Sequence, residues 1–489
     1  MFDEAASWTF AKMPWHSFWK ISWDYEGNMT LYYLALRLWV HLGDSDVVLR
    51  SLSVLFGVAT IPIVYLLGHR LFNRRVGLIA ATLITVHAFH IRWSQQARSY
   101  AMVALLISLS TVLLVSALKS PRARGPWACY LLVSTLACYC QVLAVLVVAA
   151  QWLWILVNGF SLLRSRITGL LLQAVLLAPC VWYVTFRNKG QLDWVPPLSF
   201  ERVLHALRSL AGSAIAGPAG TAVAFFLYAG LCSLAVFVGT KRREGSRRAA
   251  TSLLLLWLLI PLGVITLASA FKPVLVDRFL LMCLPAMLVL ASSGIDSLLS
   301  RGRTSGWAGA LALIAVLSVS CYGTVLQYGA LENSRNDFRE MTLYILSNQQ
   351  PADGAIFFTA AAQRSFRYYA ASYGAVRVPT TVIPDFSHAY SGTQTIPSKG
   401  EVEAASAPYS RIWLVLDMNS IDLEPAWQQA VPRLRQSLEE SLHSKESRRS
   451  DVSLFPFTCS AQQTTSLHQH FYPKKPLLQR RLSTLRKSD

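Results

Sequence analysis

The sequence predicts a polytopic α-helical membrane protein with a small α/β domain on the outer side at its C-terminal end. Three observations predict it. The 489-residue chain is 53% hydrophobic and only 15% charged, with a mean hydropathy of +0.39, whereas a soluble domain carries about 25% charged residues. Apolar windows recur at 50–68, 76–91, 100–118, 127–160, 168–186, 209–240, 249–271, 279–295 and 306–331. They hold no Lys, Asp or Glu, and their only Arg is Arg50, at an edge. After about residue 332 the composition turns soluble.

A helix needs roughly 20 apolar residues to cross a bilayer. The window 127–160 has room for two such helices, with a tight turn near Cys140–Gln141, so about ten spans are expected. Their orientation follows from the Lys and Arg between them. The short connections 69–75, 119–125, 162–167, 241–248 and 300–303 are all basic, and with ten spans they fall on one side. That side should be cytoplasmic. The net charge of +19 is then mainly positive-inside topology and not a nucleic-acid footprint, and no nucleic-acid partner is expected. The N terminus, the connections 91–99, 187–208 and 271–278, and everything after about Gln327 lie outside. An outer N terminus has no export route without a preceding span or signal peptide. A first span upstream of Met1 is therefore expected.

Three parts result. Residues 1–49 form an outer first loop with amphipathic interface helices, 50–331 the multi-span core, and 332–489 an extracytoplasmic α/β domain with a basic tail. In the first part, "MPWHSFWKISW" (13–23) suits the headgroup boundary, where amphipathic rings settle. "MTLYYLALRLWVHLG" (29–43) is too short and polar to span and reads as a half-embedded helix. In the last part, helices around "NDFREMTLYILSNQ" and "EPAWQQAVPRLRQSLEESL" alternate with strand-like "GAIFFTA" and "RIWLVLD", the pattern of a small α/β unit. Seven of the eight cysteines lie in or near spans, where a thiol is a small hydrophobe. Cys459 has no local partner, so no disulfide framework is expected, and His468 and His470 read as two polar positions on one strand face rather than a metal site.

The outer connections hold a small polar set among aromatics: Asp3 and Glu4, "DYEGNMTLYY" (24–33), "HIRWSQQARSY" (90–100), "NKGQLDWVPP" (188–197) and "FKPVLVDRFL" (271–280). A carboxylate near the bilayer surface can take a proton from an acceptor hydroxyl, worth roughly 10²–10⁴ in rate. Arginines at span ends can hold a phosphate bidentately. Together these suit transfer of a group from a phosphorylated lipid. Each alone has a plainer reading: an acidic pair near a terminus is commonly just solvated, and Arg98 or Arg278 can snorkel to the interface.

The order of these pieces resembles the polyprenyl-phosphate-sugar-dependent glycosyltransferases of the membrane C-type fold: protein O-mannosyltransferases, lipid A aminoarabinose transferase and lipopolysaccharide-core galacturonosyltransferases. The resemblance rests on "FDEAASW", "GNMTLYYLALRLW", "DSDVVLRSLSVLFGVATIPIVYLLGHRLFNRRVGLIAA", "FHIRWSQQARSYAM", "DWVPP" and "KPVLVDRFLLMCLPAML", and covers roughly residues 2–300. It implies that Asp3 is the general base or orients the acceptor hydroxyl, and that Glu4 shapes the loop. It implies that Arg98 and Arg278, with Lys272 as a third, meet the donor phosphate. Asn28, Gln96, Tyr100 and Trp194 would lie against sugar or acceptor, although interfacial aromatics are common and Tyr100 and Trp194 also fit that reading. The family begins with a span before the acidic pair, which agrees with the first span expected upstream of Met1.

Two departures bear on the chemistry. Gln96 stands where many relatives have Glu, which removes a candidate metal ligand, so no metal or other cofactor is expected. Asn28 stands where many have His. The expected reaction is inverting displacement at the anomeric carbon, from a polyprenyl-phosphate sugar to an extracytoplasmic hydroxyl of a protein, lipid or glycan, since no second carboxylate is evident for a covalent intermediate. The donor's tail would enter sideways from membrane lipid. A transporter or flippase of lipid-linked sugars, and an inactive truncated homologue, are the alternatives. The topology is testable: a cysteine at Arg122 should react with an impermeant thiol reagent only from the cytoplasmic side, and one at Ala352 only from outside. Labelling of both from one side would contradict ten spans.

Overall fold

The computed structural model describes residues 2–416, except 121–122, 159, 187–191, 193–194, 213–216, 242–244, 334–337, 359, 383–398 and 410. The expected helix around 424–442, the basic tail, Cys459, His468 and His470 lie outside the described residues.

The first segment is helical throughout. Helices α1 (Phe2–Lys12), α2 (Trp15–Ile21) and α3 (Thr30–Trp39) are joined by a π-helical turn at Ser22–Glu26 and a 3-10 turn at Gly27–Met29. The acidic stretch expected to be a loop is therefore α1. Its Ala residues favour helix, and acids in a first turn suit the positive end of the helix dipole. On α2 and the turn after it, Trp15, Trp19 and Trp23 recur every four residues and are about half exposed. This gives one aromatic face for the bilayer interface.

The spans follow as α4 (Asp46–Leu71), α5 (Arg74–Val86), α6 (Ala88–Ser94), α7 (Tyr100–Lys119), α8 (Arg124–Cys140), α9 (Val145–Asn158), α10 (Phe160–Phe186), α11 (Phe200–Leu210), α12 (Gly217–Lys241), α13 (Gly245–Ala268), α14 (Leu284–Leu299) and α15 (Arg303–Asn333). Every expected window carries one of these, with α5 and α6 a single path bent by 60°. Among the described residues six helices are long and apolar enough to cross a membrane, or seven with the bent pair. The protein is thus a multi-pass membrane protein.

Helices α8 to α10 carry an inward polar stripe. Tyr130 donates to Gln151 Oε1 at 3.0 Å, Gln151 Nε2 to Thr111 at 3.0 Å, Trp152 to Gln173 Oε1 at 2.6 Å, and Gln173 Nε2 to Ser134 at 2.6 Å. Each group satisfies another inside the bundle, as burial in lipid demands. At the centre, residues Phe279 to Ser297 are all buried, so a largely apolar helix α14 is what that position requires. Its one acid, Asp296, accepts from Asn73 Nδ2 at 2.9 Å. Helices α4 and α5 meet backbone to backbone: a Cβ on Gly68 would lie 2.8 Å from Gly77 Cα, a distance only glycine permits.

The outer domain contains α16 (Phe338–Asn348), β1 (Asp353–Phe358), α17 (Ala360–Ser372), β2 (Thr380–Thr381), α18 (Lys399–Ser406) and β3 (Arg411–Leu416). The described strands form a parallel sheet in the order β2-β1-β3, with Ala355 opposite Thr381 and Trp413. Parallel strands are covered on both faces, so their sequences run continuously apolar. At one end of β1 lies an enclosed ion pair. Arg411 Nη2 is 2.6 Å from Asp353 Oδ2, Trp413 Nε1 donates to the same oxygen at 2.8 Å, and the Gln350 N–H donates at 2.9 Å. Burial alone would raise the Asp353 carboxyl; these donors outweigh it and hold the group below the usual carboxylate range. A depressed folded value contributes stability above the unfolded value, roughly pH 4, and that contribution is lost as pH falls through the folded value. Outer-domain unfolding should therefore become easier on acidification below about pH 4, and Asp353→Asn should be less stable near neutrality but lose this acid dependence. A pH series of melting curves with Trp413 fluorescence checks it.

Candidate active site at the outer ends of the spans

Helix α1 sorts its side chains by helical spacing. Ser7, Phe10 and Ala11 are buried against the core, while Glu4, Trp8 and Lys12, four apart, share another face. The buried face is pinned by the Ser7 hydroxyl, which donates to the Ala97 carbonyl at 2.7 Å. Phe10 stacks on Tyr33 with ring centroids 4.6 Å apart. The last carbonyls of α1 accept from Arg37 Nη1, Ala11 at 3.3 Å and Met13, just beyond, at 2.6 Å.

Glu4 is buried, and its Oε1 is 3.3 Å from Arg50 Nε on α4. The side chain of Asp3 lies outside the described part; its backbone is in the first turn of α1. Arg50, which the sequence presents as a cation at the edge of a span, is thus the partner of the acid-bearing helix. One turn further along α4, Ser53 accepts or donates at 2.8 Å with the Tyr32 hydroxyl and donates to the Arg98 carbonyl at 3.1 Å. Ser53 thus links the buried Tyr32 hydroxyl to the backbone of Arg98.

Arg98 is itself buried, donating through Nη1 to Tyr33 Oη at 2.7 Å and contacting Met29 Sδ at 3.8 Å. It is held inside the fold and does not snorkel. Arg278, half-buried in the 3-10 turn before α14, sits over an aromatic floor, 5.9 Å from the ring centres of Trp93 and Tyr100. Asp277 orients that turn, accepting from the Arg278 N–H at 2.7 Å and from Ser209 at 3.2 Å. The 95–100 segment thus carries Arg98 and, at its end, the Tyr100 ring beneath Arg278.

The remaining predicted residues separate from that group. Lys272 is exposed just beyond α13. Tyr100 is fully buried, edge-on to Trp93 at 5.2 Å and 6.4 Å from Phe279. A ring face for stacking on sugar is therefore not available, and Tyr100 instead forms the floor beneath Arg278. Asn28 Oδ1 accepts from the Val142 N–H at 3.2 Å and caps the turn after α8, a structural use that the sequence did not suggest. Gln96 is half-buried, and its carbonyl accepts from the Arg98 N–H at 2.7 Å. Trp194 lies outside the described residues. Among the described residues no three His, Cys, Asp or Glu side chains converge to hold a metal ion.

Beside this region, α2 covers a mainly apolar cavity of about 560 Å³ lined by Trp19, Trp23, Thr30, Tyr139, Cys180 and Tyr183, with His16 and Lys20 also on its wall. Thr30, on its wall, directly follows Met29, whose sulfur accepts from Arg98 at 3.8 Å.

A model of the family described as dolichyl-phosphate-mannose-protein mannosyltransferase matches residues 29–184. The match includes Arg98 but neither Asp3 nor Arg278. The fold is similar to ArnT from Cupriavidus metallidurans in the apo state, at TM-score 0.52 and 12% identity over 78% of this chain and 84% of that one. It is similar to ArnT from the same organism bound to undecaprenyl phosphate, at TM-score 0.51 and 12% identity over 75% and 80%. No curated protein has a matching sequence. The resemblance read from the sequence and its C-type fold are borne out.

The approach of α6 to α4 sets where Arg98 lies. A Cβ on Gly57 would collide with the Ser94 hydroxyl and come within 2.7 Å of Ser94 Cβ, and His90 Nε2 already pairs with the Gly57 carbonyl at 3.2 Å. Gly57→Val should destabilise the protein by about 1–3 kcal/mol through overpacking, and Ser94→Gly in the same chain should recover part of that. Melting temperatures of the single and double variants in detergent decide it.

Proposed function

We propose that the protein is a membrane glycosyltransferase that moves a sugar from a polyprenyl-phosphate donor to an extracytoplasmic hydroxyl, with inversion at the anomeric carbon. The observation that supports this most directly is the meeting, at the outer ends of the spans, of an acid-bearing helix with the buried Arg98 and the half-buried Arg278. The shared fold with ArnT, solved with undecaprenyl phosphate, supports a lipid phosphate as the donor's carrier, and the cavity beneath α2 offers apolar walls for its tail. The basic connections support an active site on the extracytoplasmic side of the cell membrane.

In this reading the acceptor oxygen bonds to the anomeric carbon while the bond from that carbon to the phosphate oxygen breaks. The electron pair leaves with polyprenyl phosphate, and the acceptor's proton passes to Asp3. Glu4 is engaged by Arg50, which leaves its neighbour Asp3 as the acid assigned to the proton. Negative charge grows on the phosphate as the bond breaks, so fixed guanidiniums contribute mainly in the transition state. Arg98, already oriented by Tyr33, needs no reorganisation for that task. The reaction is proposed to need no metal, because Gln96 cannot supply the carboxylate that many relatives have there. The acceptor class, whether protein, lipid or glycan, is left to the assay.

Transfer from a polyprenyl-phosphate sugar in vesicles, run with a chelator present, tests the assignment. Asp3→Asn should lower turnover by roughly 10²–10⁴ with donor binding retained, and Glu4→Gln should lower it less. Arg98→Ala and Arg278→Ala should each cost about 2–4 kcal/mol of transition-state stabilisation, with Lys only partly restoring Arg278 because a point charge lacks the fork. Unchanged turnover in Asp3→Asn and in both alanine variants would remove the proposal.

A further inference from the structure

Helix α17 of the outer domain packs directly on α1. At that contact Tyr368, buried in the protein, donates its hydroxyl to Asp46 Oδ1 at 2.5 Å and to the Asp44 carbonyl at 3.3 Å. Asp46 occupies the first turn of α4, after the Ser45 N-cap, where a helix dipole favours negative charge. One turn further along the same helix is Arg50, which pairs with Glu4. The contact closes on α1 as well. Trp8, one turn after Glu4, meets the Tyr368 ring edge-on at 5.5 Å and donates through Nε1 to Asp44 Oδ1 at 3.3 Å, while Lys12 Nζ lies 2.8 Å from Asp44.

We propose that Tyr368 is a positioning residue for transfer: by tying α17 to the start of α4 and to Trp8, the outer domain sets the placement of the Asp3–Glu4 turn of α1. The role rests on the transfer reaction proposed above. Three features support it. The tie is a loop of contacts, Tyr368 to Asp46, Asp46 through α4 to Arg50, Arg50 to Glu4, and Glu4 through α1 to Trp8 and back to Tyr368. Each member is fixed on a helix, so displacement of one shifts the acidic turn. Burial, and then the neighbouring Asp46 carboxylate, push the Tyr368 hydroxyl up, so it stays protonated and remains a donor across the working range. Finally, α1 has a second, inner set of ties at Ser7 and Phe10, so loss of the outer tie loosens the acidic end without releasing the helix.

The test uses the full-length protein with Tyr368→Phe, which keeps the ring against Trp8, and Asp46→Asn, which weakens the acceptor. Two readouts are taken. The first is hydrogen exchange of the peptide covering residues 2–12, which needs no substrate: both variants should exchange faster there while the peptide covering α3 keeps its protection. The second is transfer kinetics: kcat should fall by about ten- to a hundredfold, as expected when a reacting group is misplaced, while the donor KM stays within about twofold of wild type. The two substitutions combined should cost little more than one, because they break the same hydrogen bond. Unchanged exchange in 2–12 overturns the inference whatever the activity shows. Faster exchange with kcat intact also overturns it, leaving a purely structural contact. If wild type shows no transfer at all, the reaction reading fails by itself, and exchange still decides whether Tyr368 holds α1.

Discussion

Charge cannot be buried without a partner, and this constraint organises the outer half of the molecule around one face of α4. Asp46, Arg50, Ser53 and Gly57 follow at steps of four, three and four, the spacing of one helical stripe. Each meets a different part of the chain: the outer domain at Tyr368, α1 at Glu4, α3 and the 95–100 segment at Tyr32 and the Arg98 carbonyl, and α6 at Ser94 and His90. The stripe is polar where it meets charge and becomes a glycine where backbones approach. Remove that helix face and the acid, the arginine and the outer domain have no common support.

The same constraint explains why two arginines so near in space are treated differently. Arg98 donates to a tyrosine hydroxyl and is enclosed. Arg278 faces aromatic rings, a weaker and less directional contact, and stays partly open. Arg98 is thus seated by a directional side-chain hydrogen bond and Arg278 by ring contacts, two different ways of fixing a guanidinium.

Much of this was legible in the sequence because it is local. Apolar windows, basic connections and alternating outer-domain elements are properties of stretches of a few to a few tens of residues, and the helices fall where the windows do. What failed were readings that depend on distant partners. Tyr100 at the end of a span looks the same whether it faces headgroups or, as here, Trp93 and Phe279. Asn28 looked like a ligand residue because its partner, the Val142 amide, is 114 positions away. Arg50 stands at the edge of an apolar window, and nothing near it in sequence indicates Glu4. Helix α1 does not announce itself because 11 residues give too few turns for periodicity to show. The Asp46–Arg50–Ser53–Gly57 stripe, by contrast, can be read directly from the order of residues.

The polar side chains of α8 to α10 carry a further physical consequence. Tyr130, Ser134, Gln151 and Gln173 bond to one another and to α7, so these four are committed to holding helices together and not to relaying a polar solute across the bundle. Transporters keep ionisable groups near the middle of the membrane to do that work. Here Glu4, Arg50, Arg98 and Arg278 gather near the ends of the spans, and a mainly apolar cavity lies under α2. A lipid phosphate can reach that place from the bilayer without any polar group crossing the core. The architecture therefore favours chemistry at one surface over passage between two.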